Sequence, residues 1–107
     1  MNTTECIMTR RSVRKFTEQP VPHGVLEDII AAAAYAPSWK NTQISRYIAI
    51  EGREAIAEIA DNYAAFNRHT LSTAPMLIAQ CCVKKRSGYE RDGSFTTDRG
   101  DGWQMYD

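Results

Sequence analysis

Four cations and one hydroxyl lie within six positions near the start of the chain, in the segment Arg10–Lys15. Guanidinium groups present paired N–H donors that match phosphate oxygens, and a serine hydroxyl adds a neutral donor. The segment is therefore a candidate phosphate-binding site. Composition alone favours the alternative, a solvated basic surface at a helix end, where cations complement the helix dipole.

A second polar cluster, Ala36–Gln43, follows the strongest helical pattern of the chain. It offers hydroxyl, ammonium and amide groups together with the large aromatic Trp39. Loops that are anchored on rigid elements are common ligand sites. The loop is thus a second candidate binding site, and a polar connection with Trp39 as a local packing anchor is the open alternative.

Metal and thiol chemistry are poorly supported by the remaining residues. Cys81 and Cys82 are adjacent, and adjacent side chains on a strand point to opposite faces, so we expect small buried hydrophobic residues rather than joint metal ligands. His23 and His69 match no metal-binding spacing. The acidic residues between positions 90 and 101 lack the calcium-loop pattern. We therefore expect no metal site.

Composition limits the class of protein. The 107 residues are 43% hydrophobic and 24% charged, as in one small globular domain or part of one. A net charge of zero gives no general attraction to nucleic acid or to anionic membranes. No apolar run is long enough to span a bilayer, and the polar start lacks a secretory signal. Three cysteines form no even disulfide framework, so we expect a cytoplasmic protein with reduced thiols and neither nucleic-acid nor membrane partners.

Hydrophobic periodicity predicts the elements that would position both clusters. A short helix, capped by Thr3 or Thr4, precedes the basic segment. Helices are predicted over 23–35 and 53–66, and strands over 47–50 and 76–83; the second strand is apolar enough to be covered on both faces. The predicted core faces of the two longer helices are Leu26, Ile29, Ile30 and Ala33, and Ile56, Ile59, Ala60 and Tyr63. The order of elements favours a layered α/β or α+β domain.

The last quarter of the chain differs in character. Residues 84–102 are polar and contain four glycines, which predicts a mobile, solvated excursion with little core, and Trp103 would open another helix. Two strands and two good helices make a thin core. We therefore expect residues 1–107 to be a single domain that is incomplete at its carboxy terminus.

Taken in order, the motifs resemble the opening pattern of the nitroreductase family. The pattern consists of the segment Arg10–Phe16, a Val-Pro pair that leads a helix, the Ala-Pro-Ser-x-x-Asn-x-Gln loop of residues 36–43 and a short strand. It continues through Asn67, residues 74–78 and residues 87–94. The resemblance implies an α+β fold with a central mixed or antiparallel sheet flanked by helices, and a homodimer with FMN at the interface.

The resemblance also implies roles for individual residues. Arg10 and Ser12 would contact the FMN phosphate, with Arg11 contributing its side chain or backbone. Arg14 would lie beside the pyrimidine edge of the flavin, where a fixed positive charge stabilises the negative charge acquired on reduction. Asn67 would hydrogen-bond the flavin ring or ribityl chain. The loop motif supplies the remaining cofactor contacts. Pro37, Ser38 and Trp39 would reach the flavin of the partner subunit, and Asn41 would also contact the cofactor.

The implied reaction is a ping-pong cycle. NADH or NADPH reduces FMN, and a nitroaromatic, quinone or similar small acceptor then reoxidises it, so no catalytic side chain is expected. One departure is that Gln43-Ile44-Ser45 stands where many relatives have Gln-Pro-Trp, a change that would alter the acceptor pocket, where Trp39 could replace the missing aromatic. A truncated, non-catalytic fragment that needs the missing half or a partner chain is the alternative, and a small anion-binding module is a weaker one.

Overall fold

The structure is a computed structural model that describes residues 2–63 and 65–105. Short helices and two strands alternate along it. The helices are α1 (Thr3–Thr9), α2 (His23–Ala33), α3 (Arg53–Asn62) and α4 (Arg68–Leu71), the strands are β1 (Ser45–Glu51) and β2 (Met76–Cys82), and 3-10 turns cover Trp39–Asn41, Ala65–Asn67 and Gly100–Met105. Among the residues described, no helix has the length and apolar character needed to cross a membrane.

Helix α1 is capped by Asn2 rather than by either threonine. The Asn2 side chain accepts from the Glu5 amide at 2.9 Å, and the Glu5 carboxylate accepts from the Asn2 amide at 2.8 Å. This reciprocal pair is a capping box, which satisfies two backbone donors that the first turn leaves without partners. The helix ends at Arg10, whose φ of −56° and ψ of 145° turn the chain into an extended conformation. The basic segment therefore begins where α1 stops.

The chain divides into two compact units, of which the first comprises Met1–Pro20 and Glu51–Pro75. Here α3 packs against α4 and the turn Ala65–Asn67. Ile56 and Ala60 are buried, and burial of the isoleucine side chain contributes about 2 kcal/mol. Tyr63 was expected on the same face and is 82% exposed. That prediction is wrong because α3 ends at Asn62, and the backbone of Tyr63 (φ −121°) no longer follows the helical period.

The second unit comprises Val21–Ile50 and Met76–Asp107. Strands β1 and β2 form an antiparallel pair, and the Val83 amide extends it by donating to the carbonyl of buried Ile44 at 2.9 Å. The prediction of a strand covered on both faces is wrong, since β2 has no buried residue and Cys81 and Cys82 are exposed. Within the described residues β2 pairs with β1 alone. The apolar side chains of β2 are therefore not buried by elements packed on both faces of the strand. Helix α2 likewise has no buried residue.

The segment after β2 is more ordered than its composition suggests. Ser87 and Gly88 are buried, and Tyr89 and Phe95 form an isolated antiparallel bridge with their ring centroids 4.8 Å apart. The Thr96 amide donates to the Gly88 carbonyl at 2.8 Å. Paired aromatic rings and backbone hydrogen bonds fold this segment back on itself. The prediction of little core in residues 84–102 is nevertheless confirmed, because Phe95 is 56% exposed and the buried hydrophobic residues of the described chain all lie outside this segment. The prediction of one domain that is incomplete at its carboxy terminus stays a prediction.

Candidate functional site

Three side chains of the basic segment are available to a ligand. Arg10, Ser12 and Arg14 are exposed, and none of their side chains makes a hydrogen bond or an ion pair within the described residues. Two guanidinium groups and a hydroxyl are the donor set that an exposed phosphate prefers. The chemistry and accessibility of these residues therefore fit a phosphate-bearing cofactor.

Arg11 has a different local role. Its Nη1 atom donates to the carbonyl of Met8 at 3.1 Å and to the carbonyl of Arg10 at 2.8 Å. Carbonyls at the last turn of a helix lack intrahelical partners, and a basic side chain satisfies them well. The Arg11 guanidinium thus stabilises the end of α1, and its side chain is less suited to a ligand than those of Arg10 and Arg14.

The far end of the basic segment is fastened to the rest of the first unit. The Phe16 amide donates to the Thr73 hydroxyl at 3.2 Å, and that hydroxyl donates to the Thr70 carbonyl at 2.9 Å. Arg53, the first residue of α3, bridges the Ser72 carbonyl at 3.2 Å and the Glu18 carboxylate at 3.3 Å. The helices of this unit therefore fix the path of the chain that carries the cations.

Asn67 lies in the same unit, as the last residue of the turn Ala65–Asn67 and directly before α4. It precedes the first residue of α4 with φ −101° and ψ 7°, and its side chain makes no cap hydrogen bond with that helix. The residue is exposed, and its carboxamide has no hydrogen-bond partner in the described part of the chain. Both its donor and its acceptor are thus available to a ligand, as the predicted role requires.

The second candidate site is the tryptophan loop, residues 38–43, in the other unit. Lys40, Asn41 and Gln43 have φ of 47°, 53° and 49°, in the left-handed region that costs a residue other than glycine about 1 kcal/mol. The Ser38 carbonyl accepts from the Asn41 amide, and its hydroxyl accepts from the Gln43 amide, both at 2.9 Å. A strained backbone conformation of this kind persists only where surrounding contacts hold it in place. Ser38 therefore shapes the loop as well as being a predicted ligand contact.

Trp39 is half-buried and has the packing role that the sequence left open. Its ring stacks on Trp103, with centroids 6.0 Å apart and planes inclined by 23°. The Lys40 ammonium lies 4.6 Å from the centre of the Trp39 ring, a cation–π arrangement. Pro37 and Asn41, on either side, are exposed. The indole is thus anchored within its own unit.

Lys40 also joins the tryptophan loop to the segment after β2. Its ammonium lies 3.0 and 3.2 Å from the two carboxylate oxygens of Glu90, and the Thr96 hydroxyl donates to one of them at 3.0 Å. The hydrogen bonds from Lys40 and Thr96, with the charge of Lys40, hold the pKa of Glu90 below its ordinary value. The hydroxyl and amide of Ser94 lower the pKa of Asp92 in the same way.

This network is what sequence reasoning missed. Lys40 and Glu90 are 50 positions apart, and Thr73 and Phe16 are 57 apart, so no local pattern pairs them. The predicted contacts fall into two groups. Residues 10–14 and Asn67 lie in the first unit, and residues 37–41 lie in the second. In the described ranges, no three His, Cys, Asp or Glu side chains are arranged to hold a metal ion.

Comparison with known proteins defines the class. The sequence profile of the nitroreductase family matches residues 7–86. A nitrobenzene nitroreductase of Ectopseudomonas oleovorans is 45% identical over 58 residues, which cover 52% of this chain and 26% of that protein. An NADH dehydrogenase of Thermus thermophilus is 35% identical over 71 residues, which cover 66% of this chain and 34% of that protein.

Solved structures agree on the fold. A nitroreductase family protein from Clostridium novyi NT matches with a TM-score of 0.73 and 25% identity, covering 98% of this chain and 56% of the other. One from Clostridium difficile 630 gives a TM-score of 0.69 and 28% identity, with coverage of 92% and 54%. The fold is accordingly the α+β fold that the sequence predicted.

The chain belongs to the nitroreductase family, because the family profile covers most of its length. This confirms the resemblance carried by the basic segment and the Ala-Pro-Ser loop. The chain spans less than half the length of each of the curated relatives that it matches.

Proposed function

We propose that the protein that carries this chain is an FMN-dependent oxidoreductase of the NAD(P)H nitroreductase type. It would act as a homodimer and pass electrons from NADH or NADPH to a nitroaromatic, a quinone or a similar small acceptor. Relatives named for NADH oxidation and for nitrobenzene reduction support both ends of this reaction. The cytoplasmic location and the absence of nucleic-acid partners stay predictions.

The observation that carries the proposal is the exposed donor set of the basic segment. Arg10 and Ser12 would hold the FMN phosphate, because both are accessible and their side chains have no hydrogen-bond or ion-pair partner within the described residues. Arg14 would supply the positive charge beside the pyrimidine edge of the ring. Arg11 would act mainly through its backbone, because its guanidinium caps α1.

The remaining proposed contacts serve orientation. Asn67 offers an available carboxamide donor and acceptor to the flavin ring or ribityl chain. Pro37, Ser38 and Trp39 would form a wall toward the flavin of the partner subunit, with Asn41 beside them. When bound, FMN accepts a hydride from NAD(P)H and passes electrons on, so these side chains bind, orient and exclude water rather than exchange protons.

Steady-state kinetics test the proposed reaction. With NADH or NADPH and nitrobenzene varied together, FMN-loaded protein should give parallel double-reciprocal lines, because the reductant leaves before the acceptor binds. Intersecting lines would exclude the ping-pong order. A protein that retains FMN and yet oxidises neither NADH nor NADPH would overturn the assignment.

A second candidate is a non-catalytic chain that requires further sequence or a partner, and the limited coverage of the relatives favours it. Comparison of residues 1–107 with a longer protein that contains them separates the two. Turnover by the longer protein alone would assign this chain a supporting role. Equal turnover per FMN in both would exclude that role.

A further inference from the structure

The Lys40–Glu90 pair links two segments whose contact no local sequence pattern predicts. One is the tryptophan loop, and the other is the turn Glu90–Ser94 that follows β2. Lys40 lies at the centre of the strained loop, and its ammonium contacts both oxygens of the Glu90 carboxylate. The pair is thus a direct polar connection between the loop proposed to face FMN and this turn.

Glu90 is itself well placed to act as a fixed point. Its amide donates to the Ser94 carbonyl at 2.8 Å, and its carbonyl accepts from the Gly93 amide at 3.0 Å. The adjacent bridge between Tyr89 and Phe95 closes the turn. The Thr96 hydroxyl then orients the carboxylate at 3.0 Å. Because the backbone and the carboxylate of Glu90 are both held by hydrogen bonds, the carboxylate offers Lys40 a partner of defined position.

Lys40 passes this constraint to the indole of Trp39. The left-handed backbone at Lys40 and the Glu90 contact together place the ammonium over the Trp39 ring, and this ring also stacks on Trp103. The hydrogen bonds that Ser38 accepts hold the backbone of the turn, and the contacts with Lys40 and Trp103 act directly on the indole.

We propose that Glu90 is a positioning residue, which sets the orientation of Trp39 through Lys40 and so prepares the tryptophan loop for the flavin. This inference rests on the proposed function, since the loop matters to FMN only if FMN binds there. The pair is 53% and 43% exposed, and exposed pairs add little to global stability. Its main effect is therefore expected on loop geometry and on ligand affinity, with little change in the unfolding transition.

The two tryptophans of this chain are Trp39 and Trp103, so their stack supplies an optical signal of loop geometry. Glu90→Gln removes the charge while keeping the shape, and Lys40→Met removes the other partner. Glu27→Gln is the matched control, because Glu27 is exposed on α2 and its side chain has no partner within the described residues. Trp39→Phe identifies the exciton-coupled circular dichroism of the stacked pair by abolishing it.

In ligand-free protein, Glu90→Gln should diminish the exciton signal, and Glu27→Gln should leave it unchanged. In FMN titrations, Glu90→Gln and Lys40→Met should each weaken binding about threefold, and the double variant should be no weaker, because both remove the same interaction. Unchanged exciton signal in Glu90→Gln would overturn the inference, as would a diminished signal with unaltered FMN affinity.

The two proposals fail separately. If wild-type protein does not bind FMN, the proposed function fails, and the ligand-free exciton signal still decides whether Glu90 orients Trp39. If wild-type protein binds FMN and additive losses appear in the double variant, Lys40 and Glu90 act independently. The positioning role of Glu90 would then be rejected while the oxidoreductase assignment stands.

Discussion

At the scale of single residues, Gly88 excludes any side chain for two separate reasons. Its φ is +82°, and a Cβ atom would lie 2.7 Å from Cδ1 of Trp103 and 3.0 Å from the Gly100 carbonyl. Both obstacles are rigid, since one is a stacked indole and the other is backbone. Gly93 shares the conformation, with φ +85°, and has nothing within 4 Å of its Cβ position.

We expect Gly88→Ala to destabilise the protein by about 3 kcal/mol, because conformational strain and overpacking add. Gly93→Ala should cost about 1 kcal/mol from conformation alone. Urea denaturation measures both free energies of unfolding. Equal losses in the two variants would contradict the close approach of Trp103 to Gly88.

Glu90 and Asp92 should make stability depend on pH in the acid range. Their pKa values are lowered in the folded protein from the ordinary values of 4.5 and 3.8, by Lys40 and by Ser94 respectively. A lowered folded-state pKa gives stability that is complete above the unfolded value and is lost as pH falls through the folded value. The loss therefore belongs below about pH 4.5.

Melting temperatures between about pH 6 and pH 3 test this dependence. Glu90→Gln should flatten the acid limb of the wild-type curve, because its side chain no longer titrates, and Glu27→Gln should retain the limb. A Glu90→Gln curve that parallels the wild type down to the lowest pH would show that the Lys40 contact does not shift the titration of Glu90.

At the scale of elements, the conformation of the basic segment depends on contacts with the residues between α4 and β2. The hydroxyl of Thr73 accepts from the Phe16 amide and donates to the Thr70 carbonyl, so one side chain joins both regions. The segment between Arg10 and Pro22 has no regular structure of its own. Its geometry therefore follows from this contact and from the bridge made by Arg53.

Thr73→Val preserves shape and removes the hydroxyl. We expect faster hydrogen exchange at the Phe16 amide and an FMN affinity weakened about fivefold, since the hydrogen bond that fastens the basic segment, of about 1 kcal/mol, is lost together with the bond to the Thr70 carbonyl. Thr17→Val is the control, because the Thr17 side chain has no partner within the described residues. Unchanged protection of Phe16 in Thr73→Val would contradict the fastening.

The sequence predicted where helices and strands begin better than it predicted which of their residues are buried. The start of α2 at His23, the start of α3 at Arg53 and the start of β2 at Met76 were all predicted correctly, because periodicity and turn residues are local. The burial of Cys81 and Cys82 was predicted wrongly, since apolar composition does not reveal which neighbours cover a strand. Long-range pairs such as Lys40 with Glu90 have no local signature at all.

The candidate site likewise has features that local sequence predicts and features that depend on distant or backbone contacts. Residue types identified the basic segment and the Ala-Pro-Ser loop, because the cations that suit a phosphate and the residues of the family motif are close together in the sequence. The separate role of Arg11 as a helix cap could not be predicted from the sequence, since its partners are backbone carbonyls. The left-handed backbone at Lys40 and Asn41 could not be predicted either, because neither residue type indicates a positive φ.

At the scale of the whole molecule, we propose that this chain supplies the FMN phosphate site. The accessible side chains of Arg10, Ser12 and Arg14 would hold the phosphate, and overall charge would not, because the net charge is zero. Lys15 lies in the same exposed segment and has no proposed contact, so Lys15→Gln removes an equal charge at a neighbouring position.

The most direct test is the visible absorbance of protein that is mixed with FMN and then freed of excess by gel filtration. Wild-type protein and Lys15→Gln should retain near-stoichiometric flavin, while Arg10→Gln should bind FMN at least about tenfold more weakly, as expected for a lost hydrogen bond to a charged group. A colourless wild-type protein, or equal retention by Arg10→Gln and Lys15→Gln, would contradict the account.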